Sequence, residues 1–328
     1  MSSPAVTITW PDYPAEAATL GGALRDAGLE PRLAPKLGAR TPAELKGLLN
    51  GAVGAIVSTD PFDADVLAGA PDLRVIARVG VGTDSIDLAA ATRRGVVVTI
   101  TPGANETTVA EHTIALMLAL VRRICEQDGA IRRGEWNRTG PHLPGSLHGR
   151  TVGLVGYGRI GRLVAKRLRG FDVRILATDP TVRTADPGVE LVDLTALLAE
   201  SDVVSLHAPL EPATAGLIGR EEIRAMRSGA MLVNTARGGM VDEPALLDAL
   251  RSAHLGGAAL DVFADEPPAG NELLGLPNVV ATAHVAGLSE RSVDEMTRRA
   301  TASVLDVVAG RRPADVANPT VFDHRRHG

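Results

Sequence analysis

The stretch that decides the fold is TVGLVGYGRIG, at positions 151–161. Its apolar first half, residues 151–155, predicts a buried strand, and the glycines that follow have the GxGxxG spacing of a dinucleotide-binding turn. In such a turn Gly156 permits the tight bend, Gly158 lets a pyrophosphate approach the backbone, and Gly161 lets the following helix pack against the strand. The pyrophosphate would lie on free N–H groups at the start of that helix.

An acidic residue stands where the next predicted strand ends. Residues 173–178 form that strand, and Asp179 follows it directly. A carboxylate in this place accepts hydrogen bonds from the adenosine ribose hydroxyls and repels the 2′-phosphate of NADP. Strand, turn, helix and acid together predict an NAD site. The alternative is a set of turn glycines and a strand-end aspartate in an ordinary α/β protein.

Short apolar runs alternate with helical patterns on both sides of the turn. This alternation predicts right-handed βαβ units and parallel sheets. We expect strands at 6–10, 55–57, 75–78, 96–99, 151–155, 173–178, 203–206, 231–234, 258–261 and 279–281. We expect helices at 15–27 (closed by Gly28), 107–132 and 289–310. Residues 134–149, rich in glycine and proline, are expected to form a linker, an interface loop or an active-site flap.

The chain has 328 residues, which suits two domains better than one. We therefore predict an α/β protein with two doubly wound parallel-sheet domains and an active-site cleft between them. The flavodoxin-like substrate domain comprises residues 1–101 and 285–328, so the last helix returns to it. The Rossmann NAD-binding domain comprises residues 102–284.

Composition excludes several classes of protein. Hydrophobic residues make up 45% and charged residues 22%, the ordinary balance of a globular enzyme. The net charge is 34 − 39 = −5 without a long basic run, so no nucleic acid is expected as a partner. The longest apolar stretch, 113–121, is too short to span a bilayer, and no secretion signal is visible, so we expect no membrane association and a cytoplasmic location. The HRRH tail at 324–327 is expected to be solvated.

The single cysteine, Cys125, rules out an intrachain disulfide and a zinc site built from thiolates, and no metal is expected. Because apolar residues precede it in the predicted helix 107–132, we expect a buried, inert thiol. A reactive thiol is the alternative.

Three polar residues follow predicted strands of the second series, where ligands of open α/β sheets bind. They are Arg237, Glu266 and His284. Hydride transfer to a keto acid needs a cation for the carboxylate, a proton donor for the carbonyl oxygen and a group that fixes the donor's tautomer. Arginine, histidine and glutamate fill these roles. Each residue also has an alternative interpretation: Arg237 as a surface arginine, Glu266 as an acid at a helix N-terminus and His284 as a core histidine.

With these residues in these places, the chain resembles the D-isomer-specific 2-hydroxyacid dehydrogenases, especially their phosphoglycerate dehydrogenase-like branch. The resemblance covers residues 78–287, and several motifs carry it in order: RVGVGTD at 78–84, VAEH at 109–112, the glycine turn, HAPL at 207–210, NTARGG at 234–239, LDVF at 260–263 with EP at 266–267, and His284 with AG at 286–287.

The resemblance implies roles for individual residues. It implies Arg237 as the substrate-binding arginine, Glu266 as the histidine's partner and His284 as the catalytic acid/base in contact with substrate. It further implies that the backbone amides of Val81 and Gly82 bind the substrate carboxylate. The implied NAD contacts are Gly156, Gly158, Arg159, Ile160, Gly161, Asp179, His207, Pro209, Thr214, Thr235, Ala236, Arg237, Asp261, His284 and Gly287.

Two positions depart from the family pattern. Ala283 stands where the family usually has a proline before the catalytic histidine, so this loop lacks the stiffness of a proline ring. Thr178 replaces the tyrosine that often precedes the ribose acid. Neither departure removes a chemical group from the mechanism.

The function implied is hydride transfer between NAD(H) and a small D-2-hydroxy acid or 2-keto acid, such as 3-phosphoglycerate, glycerate/hydroxypyruvate or glyoxylate. A homodimer is implied, with Trp136 as an anchor in the loop 134–149. Arg78 and Arg138 are candidates for neutralising a phosphate or a second carboxylate, or are surface arginines. Two alternatives remain: an NAD-sensing corepressor similar to the C-terminal-binding proteins, and a formate or phosphite dehydrogenase.

Overall fold

A computed structural model of the chain describes residues 3–16, 19–36, 40–140 and 143–323. The chain divides into two compact units, one of Met1–Asn105 with Leu288–Gly328 and one of Glu106–Gly287. Each unit contains one sheet in which all neighbouring strands are parallel, which confirms the fold class predicted from the alternating pattern. The predicted solvated tail at 324–327 lies outside the described residues.

The first unit has a five-stranded sheet in the order β2-β1-β3-β4-β5, the order of flavodoxin-like folds. Its strands are β1 Ala5–Ile8, β2 Glu30–Leu33, β3 Ala52–Val57, β4 Val75–Arg78 and β5 Val97–Thr99. Its helices are α1 Leu20–Asp26, α2 Pro42–Leu49, α3 Ala64–Ala68, α4 Leu88–Arg93 and the last helix of the chain, α11 Glu290–Val308. Helix α11 packs on β3 and β4 with its buried face, which includes Met296, Ala300 and Val304.

The second unit has a seven-stranded sheet in the order β12-β11-β10-β9-β6-β7-β8, which is the Rossmann order with one further strand. Its strands are β6 Thr151–Val155, β7 Arg174–Thr178, β8 Val189–Leu191, β9 Val203–Leu206, β10 Met231–Asn234, β11 Gly257–Leu260 and β12 Val279–Ala281. Its helices are α5 Glu106–Val121, α6 Ile124–Arg132, α7 Arg159–Leu168, α8 Leu194–Glu200, α9 Arg220–Ala225 and α10 Glu243–Arg251. The chain order reverses between β6 and β9, so the loops that follow these strands meet at the place where such sheets bind nucleotides.

Two strands were missed by the sequence prediction, and both lie at sheet edges. Strand β2 contains Pro31, which cannot donate a ladder hydrogen bond and is tolerated only at an edge, and three of its four residues are exposed. Strand β8 has three residues and none is buried. Neither strand needs the continuous apolar run that reveals a central strand.

The prediction of one long helix at 107–132 is wrong in one respect, because the segment forms two helices. Helix α5 ends at Val121 and α6 begins at Ile124, because Arg123 adopts a left-handed backbone with φ 54° and breaks the hydrogen-bond ladder. Of the residues of α6, only Ala130 is buried. The prediction that Cys125 is buried is therefore also wrong: Cys125 is a free, exposed thiol in the first turn of α6.

Helix α1 is shorter than the predicted 15–27. It begins at Leu20, because the chain around Pro14 folds back and its carbonyl accepts the Gly21 amide at 3.0 Å. Residues 17–18 of the prediction lie outside the described residues. The predicted end is confirmed, since Gly28 has φ +76° and donates to the Arg25 carbonyl.

Residues 134–140 and 143–149 form no strand or α-helix, as the glycine and proline content predicts. Residues 141–142 lie outside the described part of the chain. Across the described ranges, no helix combines the length and the apolar character needed to cross a membrane.

Candidate active site

The glycine turn links β6 to α7 and depends on its three glycines. Gly156 has φ +96°, and a Cβ there would lie 2.6 Å from the Ala208 amide nitrogen, so a side chain is excluded. A Cβ on Gly161 would lie 2.3 Å from the Gly156 carbonyl oxygen. A Cβ on Gly158, in contrast, would meet nothing within 4 Å. The turn is therefore tight on its protein side and open where a pyrophosphate would approach.

The start of α7 is suited to hold an anion. Gly158 is its N-cap residue and offers no side-chain cap, and the first turn of the helix contains no acidic residue. The cap residue therefore offers no side chain to the first N–H groups of the helix, which lie at the positive end of its dipole.

Asp179 lies beside this turn, as predicted. Its Oδ2 accepts the backbone N–H of Tyr157 at 2.9 Å, and its Oδ1 accepts the backbone N–H and the hydroxyl of Thr181 at 2.9 and 2.7 Å. Burial by itself raises the pKa of Asp179, but the hydrogen bonds from Thr181 and the Tyr157 amide outweigh it and lower that pKa below its usual value. The carboxylate is thus oriented and ionised at neutral pH.

A side-chain cluster behind the turn was missed by the sequence prediction. Tyr157 is fully buried, and its hydroxyl donates to Asp186 at 2.7 Å. Arg162 stacks over the Tyr157 ring at 4.6 Å and donates to the same carboxylate at 3.1 Å. The cluster ties the loop after β7, which carries Asp179, to α7. No sequence pattern signals Asp186, because the contact joins two loops whose approach depends on the fold.

His207 lies at the end of β9, against the glycine turn, and its amide donates to the Val155 carbonyl at 2.7 Å. Both of its ring nitrogens are buried without a hydrogen-bond partner among the described residues. Burial lowers the pKa of this imidazole to about 4, so it is neutral at pH 7. A neutral imidazole of this kind beside the turn has hydrogen-bonding capacity left for a ligand.

The loop after β10 presents Arg237. Asn234, which is 1% exposed, shapes this loop by accepting the Ala236 amide at 3.0 Å and donating to the Arg237 carbonyl at 2.9 Å. A Cβ on Gly238 would lie 1.9 Å from the Phe263 carbonyl carbon, so only glycine permits the contact. The loop with Arg237 therefore lies directly against the loop after β11, which carries Glu266.

Glu266 and His284 are brought together as the sequence analysis predicts. The Glu266 Oε2 atom lies 2.7 Å from His284 Nδ1, and its Oε1 accepts the Phe263 amide at 3.1 Å. Both side chains are about one-third exposed, at 34% and 31%. With the imidazole's Nδ1–H directed at the carboxylate, Nε2 is the atom left to exchange a proton with a substrate.

Other residues expected around NAD occupy the loops at the same sheet edge or the first turn of α7. Thr235 is buried and shares a 2.9 Å hydrogen bond with Thr113, and the Thr214 hydroxyl donates to the Pro209 carbonyl at 2.6 Å. Arg159 is 69% exposed and lies 3.6 Å from Glu106. The remaining members are half-buried: Ile160 in the first turn of α7, and Ala236 and Gly287 in loops.

Asp261 differs from these residues, because its side chain is only 1% exposed. Its carboxylate accepts hydrogen bonds from the Thr282 hydroxyl and from the amides of Val285 and Ala286, in the loop around His284.

Val81 and Gly82, the expected carboxylate-binding amides, follow β4 in the first unit. Thr101 anchors this loop by accepting the Gly80 amide at 3.0 Å and donating its own amide to the Gly80 carbonyl at 2.9 Å. Within the described residues, no hydrogen bond engages the amides of Val81 or Gly82. Arg78 is 8% exposed and donates to the Val79 carbonyl, so it is not a surface arginine.

These features fit NAD. The open face at Gly158, the uncapped start of α7, the oriented Asp179 carboxylate and the buried His207 ring supply sites for a pyrophosphate, a ribose and one further polar group. The Glu266–His284 pair stands at the same sheet edge and can move a proton. The fold and the site thus define an NAD-dependent oxidoreductase.

Comparison with known proteins gives the family. Residues 114–286, more than half of the chain, match the model of the D-isomer specific 2-hydroxyacid dehydrogenase NAD binding domain. The chain belongs to the D-isomer specific 2-hydroxyacid dehydrogenases, as its motifs predict, and NAD is its cofactor.

The relatives similar to this chain in sequence include proteins named for two different activities. A glyoxylate reductase of Thermofilum pendens is 44% identical over 279 residues, covering 81% of each chain. A D-3-phosphoglycerate dehydrogenase of Mycobacterium leprae is 44% identical over 265 residues, which are 80% of this chain but 50% of that relative. The crystal structure of the TT0316 protein from Thermus thermophilus superposes with a TM-score of 0.86 at 42% identity, covering 95% of this chain and 99% of that one.

Proposed function

We propose that the chain catalyses reversible, NAD-linked reduction of a small 2-keto acid to a D-2-hydroxy acid. The observation that carries the proposal is the 2.7 Å contact between Glu266 and His284, at the same sheet edge as an oriented Asp179 carboxylate beside the glycine turn. In this proposal the unit Glu106–Gly287 is the NAD-binding domain and the unit Met1–Asn105 with Leu288–Gly328 is the substrate domain.

Each proposed catalytic residue has a separate task. When bound, NADH supplies the hydride for C2 of the keto acid. His284 donates a proton from Nε2 to the carbonyl oxygen, and Glu266 holds the imidazole by Nδ1 so that Nε2 faces the substrate. Arg237 binds the substrate carboxylate in a bidentate manner, and the amides of Val81 and Gly82 add two donors.

For the cofactor, the backbone of Gly156–Gly161 and the start of α7 would hold the pyrophosphate, and Asp179 would accept from the adenosine ribose. The repulsion between its carboxylate and a 2′-phosphate predicts a preference for NADH over NADPH. His207, Pro209, Thr214, Thr235, Ala236 and Gly287 would line the rest of the cofactor site, with Arg159 and Ile160 contributing the first amides of the helix.

The substrate proposal rests on the relatives. Proteins similar to this chain are named glyoxylate reductase and D-3-phosphoglycerate dehydrogenase. The chain spans 81% of the first and about half of the second. We propose glyoxylate and hydroxypyruvate ahead of a phosphorylated acid, because the relative named glyoxylate reductase matches over most of its length.

The test is NADH oxidation, followed by the loss of NADH absorbance, with glyoxylate, hydroxypyruvate and 3-phosphohydroxypyruvate, and NAD reduction with formate and phosphite. Turnover with a 2-keto acid, and with NADH faster than with NADPH, supports the proposal. Reduction of NAD by formate or phosphite alone would replace it with that chemistry. Cofactor binding without turnover of any compound would favour an NAD-sensing binding protein.

We also propose a homodimer formed through α6 and the loop that follows it. Four large apolar side chains are exposed there, at 53%, 51%, 73% and 62%: Ile124, Ile131, Trp136 and Leu143. Exposed apolar residues gathered on one segment are typical of protein interfaces. Light scattering should give twice the mass of 34.1 kDa for the native chain, and Trp136→Glu should shift the mass toward the monomer. A native chain that is monomeric at micromolar concentration would contradict the proposal.

A cytoplasmic location remains a prediction.

A further inference from the structure

The backbone of His284 adopts a conformation that needs support from its surroundings. Its φ of +53° lies in the left-handed region, which is uncommon for residues other than glycine, although histidine adopts it more often than most. Such conformations persist at functional sites only when the surrounding structure holds them. The preceding residue is Ala283, whose φ is not fixed by a ring. Hydrogen bonds to the loop supply support of this kind.

One residue, Asp261, receives the amides of this loop. Its carbonyl oxygen accepts the His284 amide at 2.7 Å. Its Oδ1 accepts the Val285 amide at 2.9 Å, and its Oδ2 accepts the Ala286 amide at 2.9 Å. Three successive amides thus converge on a single residue at the end of β11, and this arrangement holds the left-handed turn.

A threonine and a second histidine hold Asp261 in turn. The Thr282 hydroxyl donates to Asp261 Oδ1 at 2.6 Å, and the same hydroxyl oxygen lies 3.0 Å from His112 Nε2. Since the single proton of the hydroxyl is used on Asp261, the oxygen accepts from His112, and Nε2 of that ring carries the hydrogen. His112 belongs to α5, which packs on β10, β11 and β12.

We propose that Asp261, Thr282 and His112 form a positioning network that fixes the orientation of His284 for proton transfer. The network runs from α5 through one hydroxyl and one carboxylate to the backbone of the proposed acid/base. This inference rests on the proposed role of His284. It assigns Asp261 a task beyond the NAD contact implied by the family resemblance, because its buried carboxylate accepts three hydrogen bonds from the loop.

Thr282 is the residue to test, because its side chain can be changed without removing the carboxylate. Thr282→Val keeps the shape and removes the hydroxyl, whereas Thr282→Ser keeps the hydroxyl. A matched control is Thr297→Val, which removes a buried hydroxyl that donates to the Val293 carbonyl of its own helix, α11.

Turnover and cofactor affinity separate positioning from cofactor binding. We expect Thr282→Val to lower kcat by about tenfold, as imprecise placement of a catalytic group does, while the Kd for NADH from protein fluorescence changes less than about twofold. Thr282→Ser should restore kcat to within about twofold of the native value, and Thr297→Val should leave it unchanged. An unchanged kcat in Thr282→Val would overturn the proposal. So would a parallel loss of kcat and NADH affinity, or a failure of Thr282→Ser to restore kcat.

Hydrogen exchange tests the network without reference to turnover. Peptides covering residues 282–287 should exchange at least about tenfold faster in Thr282→Val than in the native protein, and at the native rate in Thr282→Ser. Equal exchange in all variants would overturn the network. If the native protein turns over no 2-keto acid, the proposed function fails. The exchange result then still decides whether the network holds the His284 loop.

Discussion

The Oε2 atom of Glu266 lies 2.7 Å from Nδ1 of His284, while the other oxygen of the same carboxylate accepts the Phe263 amide at 3.1 Å. The carboxylate is therefore held at both oxygens, and the imidazole can rotate only by breaking a hydrogen bond. This arrangement selects the tautomer with hydrogen on Nδ1 and leaves Nε2 for the substrate.

Glu266→Gln tests this selection. If the Gln oxygen keeps the Phe263 amide, its NH₂ group faces Nδ1 and favours the opposite tautomer of His284. We expect kcat to fall by about 10²-fold or more, with the Kd for NADH unchanged, because the proton would sit on the wrong nitrogen. Steady-state kinetics and fluorescence titration measure the two effects. The control is Glu272→Gln, which removes an exposed ion pair with Arg251 and should leave kcat unaltered. A Glu266→Gln protein with native kcat would remove Glu266 from the mechanism.

Gly238→Ala tests the contact between two site loops. The added methyl would lie 1.9 Å from the Phe263 carbonyl carbon, so the loop with Arg237 and the loop with Glu266 must move apart. We expect a loss of roughly 3 kcal/mol in the free energy of unfolding, since the clash is with backbone atoms, together with a large fall in kcat/KM.

Gly275→Ala is the matched control, because a Cβ there meets nothing within 4 Å and its φ is not positive. Urea denaturation measures the stability of both variants. Equal stability of the two variants would show that the loops adjust without strain.

Asp179→Asn tests the cofactor preference. The amide cannot repel a 2′-phosphate and is a weaker acceptor for the Tyr157 amide than the carboxylate. We expect the KM for NADH to rise by about tenfold, the effect of losing one charge-assisted hydrogen bond, and the preference for NADH over NADPH to shrink. Asp172→Asn is a control, because Asp172 is exposed and its left-handed φ of 53° suits asparagine. An unchanged ratio of the two kcat/KM values would contradict the role of Asp179.

The burial of His207 should make the protein without cofactor less stable at acidic pH. Its pKa is lowered by burial from 6.5 to about 4, so below pH 6.5 the unfolded chain binds a proton that the folded chain does not. The free energy of unfolding therefore falls as the pH drops from 6.5 toward 4. Between pH 7 and 5, the His207 imidazole alone lowers it by about 2 kcal/mol.

Urea denaturation at about pH 7 and about pH 5 measures the effect in the native protein and in His207→Gln, which cannot take up the proton. The native protein should lose about 2 kcal/mol more than the variant over this interval. Equal losses would mean that the His207 imidazole is protonated in the folded state as easily as in the unfolded chain.

Central strands and the glycine turn could be predicted because their signals are local. The predicted bounds of β4, β6, β9, β10 and β12 agree with the structure, since each is an apolar run between turn residues. The edge strands β2 and β8 lack that run and were missed. The break at Arg123 was missed because only glycine signals a left-handed conformation in a sequence, and arginine does not. The wrong expectation for Cys125 followed from this error.

Within the site, the Glu266–His284 pair could be predicted, because each member lies in a motif at a strand end. The Tyr157–Asp186 contact and the Thr282–His112 contact could not, because each joins loops or elements far apart in the chain. Asn234 could have been found, since asparagine at a strand end commonly bonds the backbone of the following turn.

The most direct test of the account is a comparison of NADH binding and turnover in the native protein and His284→Ala, with the 2-keto acid that the substrate panel identifies. We expect an NADH Kd within about twofold of the native value and a kcat lower by at least about 10²-fold, because the substitution leaves the glycine turn intact and removes the proton donor. A His284→Ala protein that binds NADH normally and keeps native kcat would contradict it.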